Sequence, residues 1–406
     1  MRSVGGVCAG LLIAAALALT ALLHLRHPDA LVTMLPLPDM YDLHVDFDTF
    51  WHSAVALVHG ADIYETPAKL TNLNPPLLTV LMTPFAAFDS LSAYRIFAGL
   101  TLLMVAGAVL AVARELRLSR AVTAGALLLV LAGSPLHGML VLGQIYGILL
   151  VGLTAGWIAE RRGRPVLAAV LYGVTVALKP SLAPVLLLAL AQRRWVPLRA
   201  GLAAAAAATL LGVLVAGPGS GLEWLRIAFG EGVPDSVDNA SLPGLSTRFG
   251  LTALPGMLLG AGVLFGTLLW CARHRDRIDP AGTAPWAALA AGLLFAPIAW
   301  HNYLLLLVPG VLVLAAQGRR AAAAAAVAVA LVPVSWNAEW APDGLVADLA
   351  RSLYCAILLG YWLLLLSSAR SEAGGTSSVG AGGATSGALS VTGAASTSTS
   401  TSGSAG

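Results

Sequence analysis

Asp46 and Asp48 lie in His44-Val45-Asp46-Phe47-Asp48-Thr49-Phe50-Trp51, and Asp42, Asp62, Glu65 and Tyr64 stand close by, before Asn74-Pro75-Pro76. A carboxylate pressed against rings such as Phe47, Phe50 and Trp51 loses hydration, and its pKa climbs toward neutrality. There it can act as a general base and take the proton from a hydroxyl, which is a poor nucleophile until that proton leaves. Asp46 is the first choice for such a base and Asp48 the second. Either acid could instead cap the helix-like stretch that runs over 53–58. Asp235 and Asp238 could join Asp46 on a metal, but no ligand spacing supports one, so the predicted chemistry uses no metal and no cofactor.

Cations are as sparse as acids. Lys179 is one of only two lysines and sits with Pro180 between two apolar runs. A charge near hydrocarbon marks a site by default, although a lysine can also snorkel to lipid headgroups. Arg248 follows Asn239 and Ser241 in a polar loop, and its guanidinium could fork two phosphate oxygens or pair with a headgroup or a loop acid. For hydroxyl-rich ligands the chain offers Trp51, Tyr64, Gln144, Asn239 and His301. Each has a plainer use: aromatic and histidine side chains populate the membrane interface, and glutamine bonds between helices.

These residues must be positioned by membrane helices. Of 406 residues 58% are hydrophobic and only 11% charged, and the mean hydropathy is +0.83. A soluble domain carries about 25% charged residues. Apolar runs fall near 4–23, 92–113, 121–140, 142–160, 165–178, 181–191, 198–216, 253–272, 284–299, 302–316, 320–337 and 350–367. The chain therefore reads as an all-α polytopic bundle of about twelve membrane segments. The run over 76–88 is short and proline-bearing, which suits a re-entrant or interfacial segment. The runs 165–178 and 181–191 form a hairpin tipped by Lys179-Pro180. The 4–23 run is long for a signal peptide and reads as a retained helix. Residues 371–406 are nearly all Gly, Ala, Ser and Thr and read as a disordered tail on a membrane domain of 1–370.

Charge sorts the loops. Arg114, Arg117, Arg120, Arg161, Arg162, Arg164, Arg193, Arg194, Arg199, Arg273, Arg275, Arg277, Arg319, Arg320 and Arg370 fall on one side, with Arg2. The positive-inside rule makes that side cytoplasmic, with both termini, in a plasma membrane. Loops 24–75, 217–252 and 338–349 then share the outer face with Trp300 and His301. No basic stripe suggests nucleic acid, and Cys8, Cys271 and Cys355 sit in apolar runs as small hydrophobes.

In order, Asp46-Phe47, Phe50-Trp51, Gly60-x-Asp62-x-Tyr64, Asn74-Pro75-Pro76, Gly143-Gln144, Lys179-Pro180, Asn239-Ala240-Ser241-Leu242 with Arg248, and Pro297-Ile298-Ala299-Trp300 resemble glycosyltransferase family 87. Tyr146, Ala240, His301 and Asn302 depart from the family pattern. The resemblance spans most of 40–310. It implies a GT-C fold and an inverting transfer of one sugar, mannose in α-linkage, from polyprenyl-phosphate-mannose to a glycolipid or glycan acceptor at the outer face of an actinobacterial cell envelope. Asp46 matches the family's catalytic Asp, the general base, and Lys179 and Arg248 would steady the departing lipid phosphate. An arabinosyl donor is a close variant. A secondary transporter or flippase of a lipid-linked sugar is the alternative of a different class, but it would place acids at mid-span within inverted repeats.

Overall fold

The computed structural model describes residues 44–230, 232–330 and 352–370. The 4–23 run, Asp42, the 338–349 loop and the 371–406 tail lie outside the described residues. Every named element among the described residues is a helix.

Helix α1 (Val45–Val58) starts earlier than the expected 53–58 stretch. Its N-cap His44 takes left-handed backbone with φ 56°, and no side chain caps the helix. Asp46 and Asp48 therefore stand in the first turn, favoured by the positive end of the helix dipole, and neither fills the capping role open to it on sequence. After α2 (Pro76–Met82) and a 3-10 turn over Thr83–Ala87 comes α3 (Ser90–Glu115), whose N-cap Asp89 accepts from the Ser92 amide. Next are α4 (Arg120–Ala132) and α5 (Ser134–Leu142), bent 48° from one another at Gly133, and then α6 (Tyr146–Arg161).

The expected hairpin forms as α7 (Pro165–Leu178) and α8 (Pro184–Ala191), with Lys179 in the break and a 3-10 turn at Pro180–Leu182. Beyond it run α9 (Trp195–Ala216), α10 (Pro218–Gly230), α11 (Leu242–Arg248), α12 (Ala253–Arg273) and α13 (Ala284–Phe295). A 3-10 segment at His301–Leu307 leads into α14 (Val308–Ala316), followed by α15 (Arg320–Ala330) and α16 (Leu353–Ser367).

Among the described residues, α3, α9 and α12 are long and apolar enough to cross a membrane, and the bent α4–α5 pair makes a fourth span if counted as one. The other apolar runs are cut short, because Pro165, Pro184, Pro285 and Pro309 each start a new helix at a position where the missing N–H costs nothing. Helix α13 is the centre of the core, buried from Ala284 to Leu294. Glycines permit its close contacts: a Cβ on Gly292 would collide with Pro184, and one on Gly173 of α7 with the Gly201 carbonyl of α9.

Polar groups gather at the two ends of this bundle. At one end Glu115 accepts from Arg162 Nε and Nη2 at 3.0 and 2.9 Å, and Glu160 pairs with Arg194. Tyr146 starts α6 at the opposite end, 16 residues or about 24 Å away. Of the arginines that the charge pattern groups together, Arg161, Arg162 and Arg194 thus lie at the end away from Asp46.

Candidate active site

A glycine sets the first contact. Gly143 ends α5 with φ 74°, and a Cβ there would overlap Phe47 Cβ. The tight approach lets the His44 amide donate to the Val141 carbonyl at 2.6 Å, docking the start of α1 on the end of α5. Phe47 is fully buried against Phe85 and Phe97 and locks the helix in place. Gln144, expected just inside a span, instead occupies the turn between α5 and α6, and its Nε2 donates to Asp46 Oδ2 at 2.6 Å. Burial pushes the Asp46 carboxyl up to about 6, while the Gln144 bond and the Lys179 ammonium pull it back.

Two residues along a helix is a rotation of roughly 200°, so Asp48 faces elsewhere. It accepts from Ser90 Oγ at 2.8 Å and lies 3.5 Å from His52 Nε2.

Lys179 Nζ donates to Asn74 Oδ1 at 3.3 Å. Asn74 is itself fixed, because its backbone N–H donates to Asn72 Oδ1 at 3.0 Å and its carbonyl accepts from the Tyr64 hydroxyl at 3.0 Å. Asn72 in turn donates to Ser53 Oγ of α1 at 3.0 Å. The Asn74-Pro75-Pro76 motif thus holds a cation at the tip of the α7–α8 hairpin, and Pro76 starts α2. The same ammonium lies 5.9 Å from the Tyr303 ring centroid.

The second cation arrives from a different part of the chain. Residues 238–240 pair with 299–301: the Ala240 amide donates to the Ala299 carbonyl at 2.6 Å and the His301 amide to the Asp238 carbonyl at 2.8 Å. Arg248 Nη1 donates to the Ser236 and Asn239 carbonyls, both at 2.8 Å. Its Nε and Nη2 are buried without a partner among the described residues. Asp238 stands between those two carbonyls. Burial pushes its carboxyl up to about 6; Arg248 opposes that and the Asp46 charge adds to it. Asp46 and Asp238 are therefore two acids within electrostatic reach of each other, each with a cation nearby.

The remaining candidates divide. His301 is 1% exposed, with Nε2 2.9 Å from Ser134 Oγ, its ring on Tyr354 and its Nδ1 unpartnered among the described residues. Asn239 spends its whole amide on the loop: Nδ2 donates to the Pro234 and Pro297 carbonyls, and Oδ1 accepts from the Ala299 and Ser241 amides. Trp51 Nε1 donates to the Phe88 carbonyl at 3.1 Å, and the Tyr64 hydroxyl is committed to Asn74. Asp46, Gln144, Lys179, Asp238 and Arg248 are brought together, while Trp51, Tyr64 and Asn239 hold the frame. No group of three or more His, Cys, Asp or Glu with metal-binding geometry occurs among the described residues.

Residues 72–300 match the model of glycosyltransferase family 87. The chain belongs to that family. The matched stretch of this family 87 protein takes in Asn74, Gln144, Lys179, Asp238 and Arg248, and it stops one residue before His301. Asp46 precedes it. No protein of curated function matches the chain. Among solved structures, this glycosyltransferase is similar to ArnT from Cupriavidus metallidurans bound to undecaprenyl phosphate, at 16% identity and a TM-score of 0.44, over 86% of this chain and 77% of that one.

Proposed function

We propose that the protein is an inverting GT-C transferase that moves one sugar, mannose, from polyprenyl-phosphate-mannose to a hydroxyl of a glycolipid or glycan at the outer membrane face. Asp46 takes the acceptor proton. The freed oxygen attacks the anomeric carbon as the carbon–oxygen bond to phosphate breaks, and the electron pair leaves with the lipid phosphate. A β-linked donor then gives an α-linked product. Lys179 and Arg248 offset the charge that grows on the leaving group, the usual arrangement where an oxyanion develops. The reading places the site outside because the arginine-rich end of the bundle fits the cytoplasm.

One observation carries this reading: the partly buried Asp46 carboxyl is oriented by Gln144 and influenced by Lys179. A base with a pKa near 6 is mostly ionised at neutral pH and still basic enough to take a proton in the transition state. The decisive assay follows radiolabelled mannose from polyprenyl-phosphate-mannose into lipid or glycan product in membranes carrying the protein. Asp46→Asn should insert normally and transfer nothing measurable. Full transfer by that variant would shift the base to Asp48 or end the proposal.

A further inference from the structure

Tyr146 opens α6 two residues after Gln144 and is wholly enclosed. Its ring lies on that of Tyr303 with centroids 4.4 Å apart, the same Tyr303 whose other neighbour is the Lys179 ammonium. The Tyr146 hydroxyl is buried and has no hydrogen-bond partner among the described residues. Burial and the adjoining Tyr303 phenol act on it most, and the charges of Asp46 and Asp238 act on it as well.

That orphan state sets Tyr146 apart. The buried hydroxyls of Tyr64 and Tyr361 donate to the Asn74 and Ala326 carbonyls, and that of Tyr94 donates to the Leu140 carbonyl. Tyr172 is also unpartnered, but it responds to Glu160 and Arg194 at the other end of the bundle. Among the described residues, both amide atoms of Asn302, next in sequence to Tyr303 and 2% exposed, also lack partners, as do Nε and Nη2 of Arg248, the cation that acts on Asp238. A buried polar group without a partner calls for a ligand or water to complete it. Two carboxylates within electrostatic reach of a hydroxyl that has no partner among the described residues complement a sugar, whose hydroxyls both donate and accept.

We propose that Tyr146 contacts the donor sugar: its hydroxyl bonds a sugar hydroxyl, and the Tyr146–Tyr303 stack sets which sugar the site accepts. This rests on the sugar-transfer reading above and names a residue that fixes its specificity.

The test measures binding of three lipids to detergent-purified protein: decaprenyl phosphate, decaprenyl-phosphate-mannose and decaprenyl-phosphate-arabinose. Tyr146→Phe should weaken the preferred sugar-bearing lipid about fivefold to tenfold, the scale of one lost hydrogen bond. Decaprenyl phosphate itself should bind unchanged. Because the hydroxyl has no hydrogen-bond partner among the described residues, the variant should unfold at the wild-type temperature or above it. Equal weakening of all three lipids, no weakening of any, or a lowered unfolding temperature would each overturn the assignment. A wild-type protein that binds none of the lipids overturns the transfer reading too. Wild-type discrimination between lipids that survives intact in Tyr146→Phe overturns the Tyr146 assignment alone.

Discussion

Gln144 Nε2 lies 2.6 Å from Asp46 Oδ2, joining residues 98 positions apart across the meeting of two helices. The bond does two things to the acid: it fixes one oxygen and it stabilises the ionised form.

Removing the bond should therefore raise the Asp46 pKa. In Gln144→Leu the acid limb of the kcat/KM profile should move to higher pH, with activity at pH 7 down about tenfold or more. A profile superimposable on wild type would deny Gln144 any hold on the base.

Wild-type kcat/KM should fall as pH drops through about 6, the value to which burial pushes Asp46. Stability should run the other way. A carboxyl whose pKa is raised by folding contributes stability at pH values below its unfolded pKa, and that contribution is lost as pH rises through the folded value. Asp46→Asn should thus melt above wild type near pH 8 and converge with it below about pH 4, which thermal unfolding at the two pH values can measure. An unchanged melting difference across that range would mean the acid is not enclosed in solution.

Gly143→Ala puts a Cβ into Phe47 at a backbone φ of 74°. Both strains act at once, and a loss of about 2 kcal/mol or more is expected, with transfer activity falling alongside because Gln144 no longer meets Asp46. Thermal unfolding at wild-type temperature would remove Gly143 from the frame.

Lys179→Ala should raise the KM for the lipid-linked donor and leave the acceptor KM alone. Asn74→Ala, which frees the ammonium without deleting it, should give a smaller effect in the same direction. Donor kinetics that ignore both changes would reassign Lys179 to a structural place on Tyr303.

A cysteine in place of the exposed Asp235 should react with a membrane-impermeant reagent added outside intact cells. Labelling only after the cytoplasm is opened would reverse the proposed sidedness.

Much of the frame was legible in the sequence because hydropathy and proline report directly on helix ends. The hairpin at Lys179-Pro180 is one case, and the separation of Arg161, Arg162 and Arg194 from Asp46 is another. On sequence Gln144 reads as lying within a span because its neighbours are apolar on both sides; only the left-handed turn at Gly143 shows that the helix stops there. On sequence Asp238 suggests nothing beyond a metal ligand. Its meeting with Arg248 and Asp46 depends on the pairing of 238–240 with 299–301, a contact that leaves no periodic trace. Asn239 and Tyr64 looked like ligand-binding groups because polar residues stand out in an apolar chain. The structure spends them on holding neighbouring backbone.

Lys179 is tethered to the neutral amide oxygen of Asn74 and not to a carboxylate. Its positive charge is accordingly not cancelled by its anchor. On the proposed reaction, a lipid phosphodiester becomes a monoester with an additional ionisable oxygen, so the spent carrier is held more firmly than the donor that delivered the sugar. Turnover would then be governed by escape of the carrier, and added polyprenyl phosphate would act as a strong competitive brake.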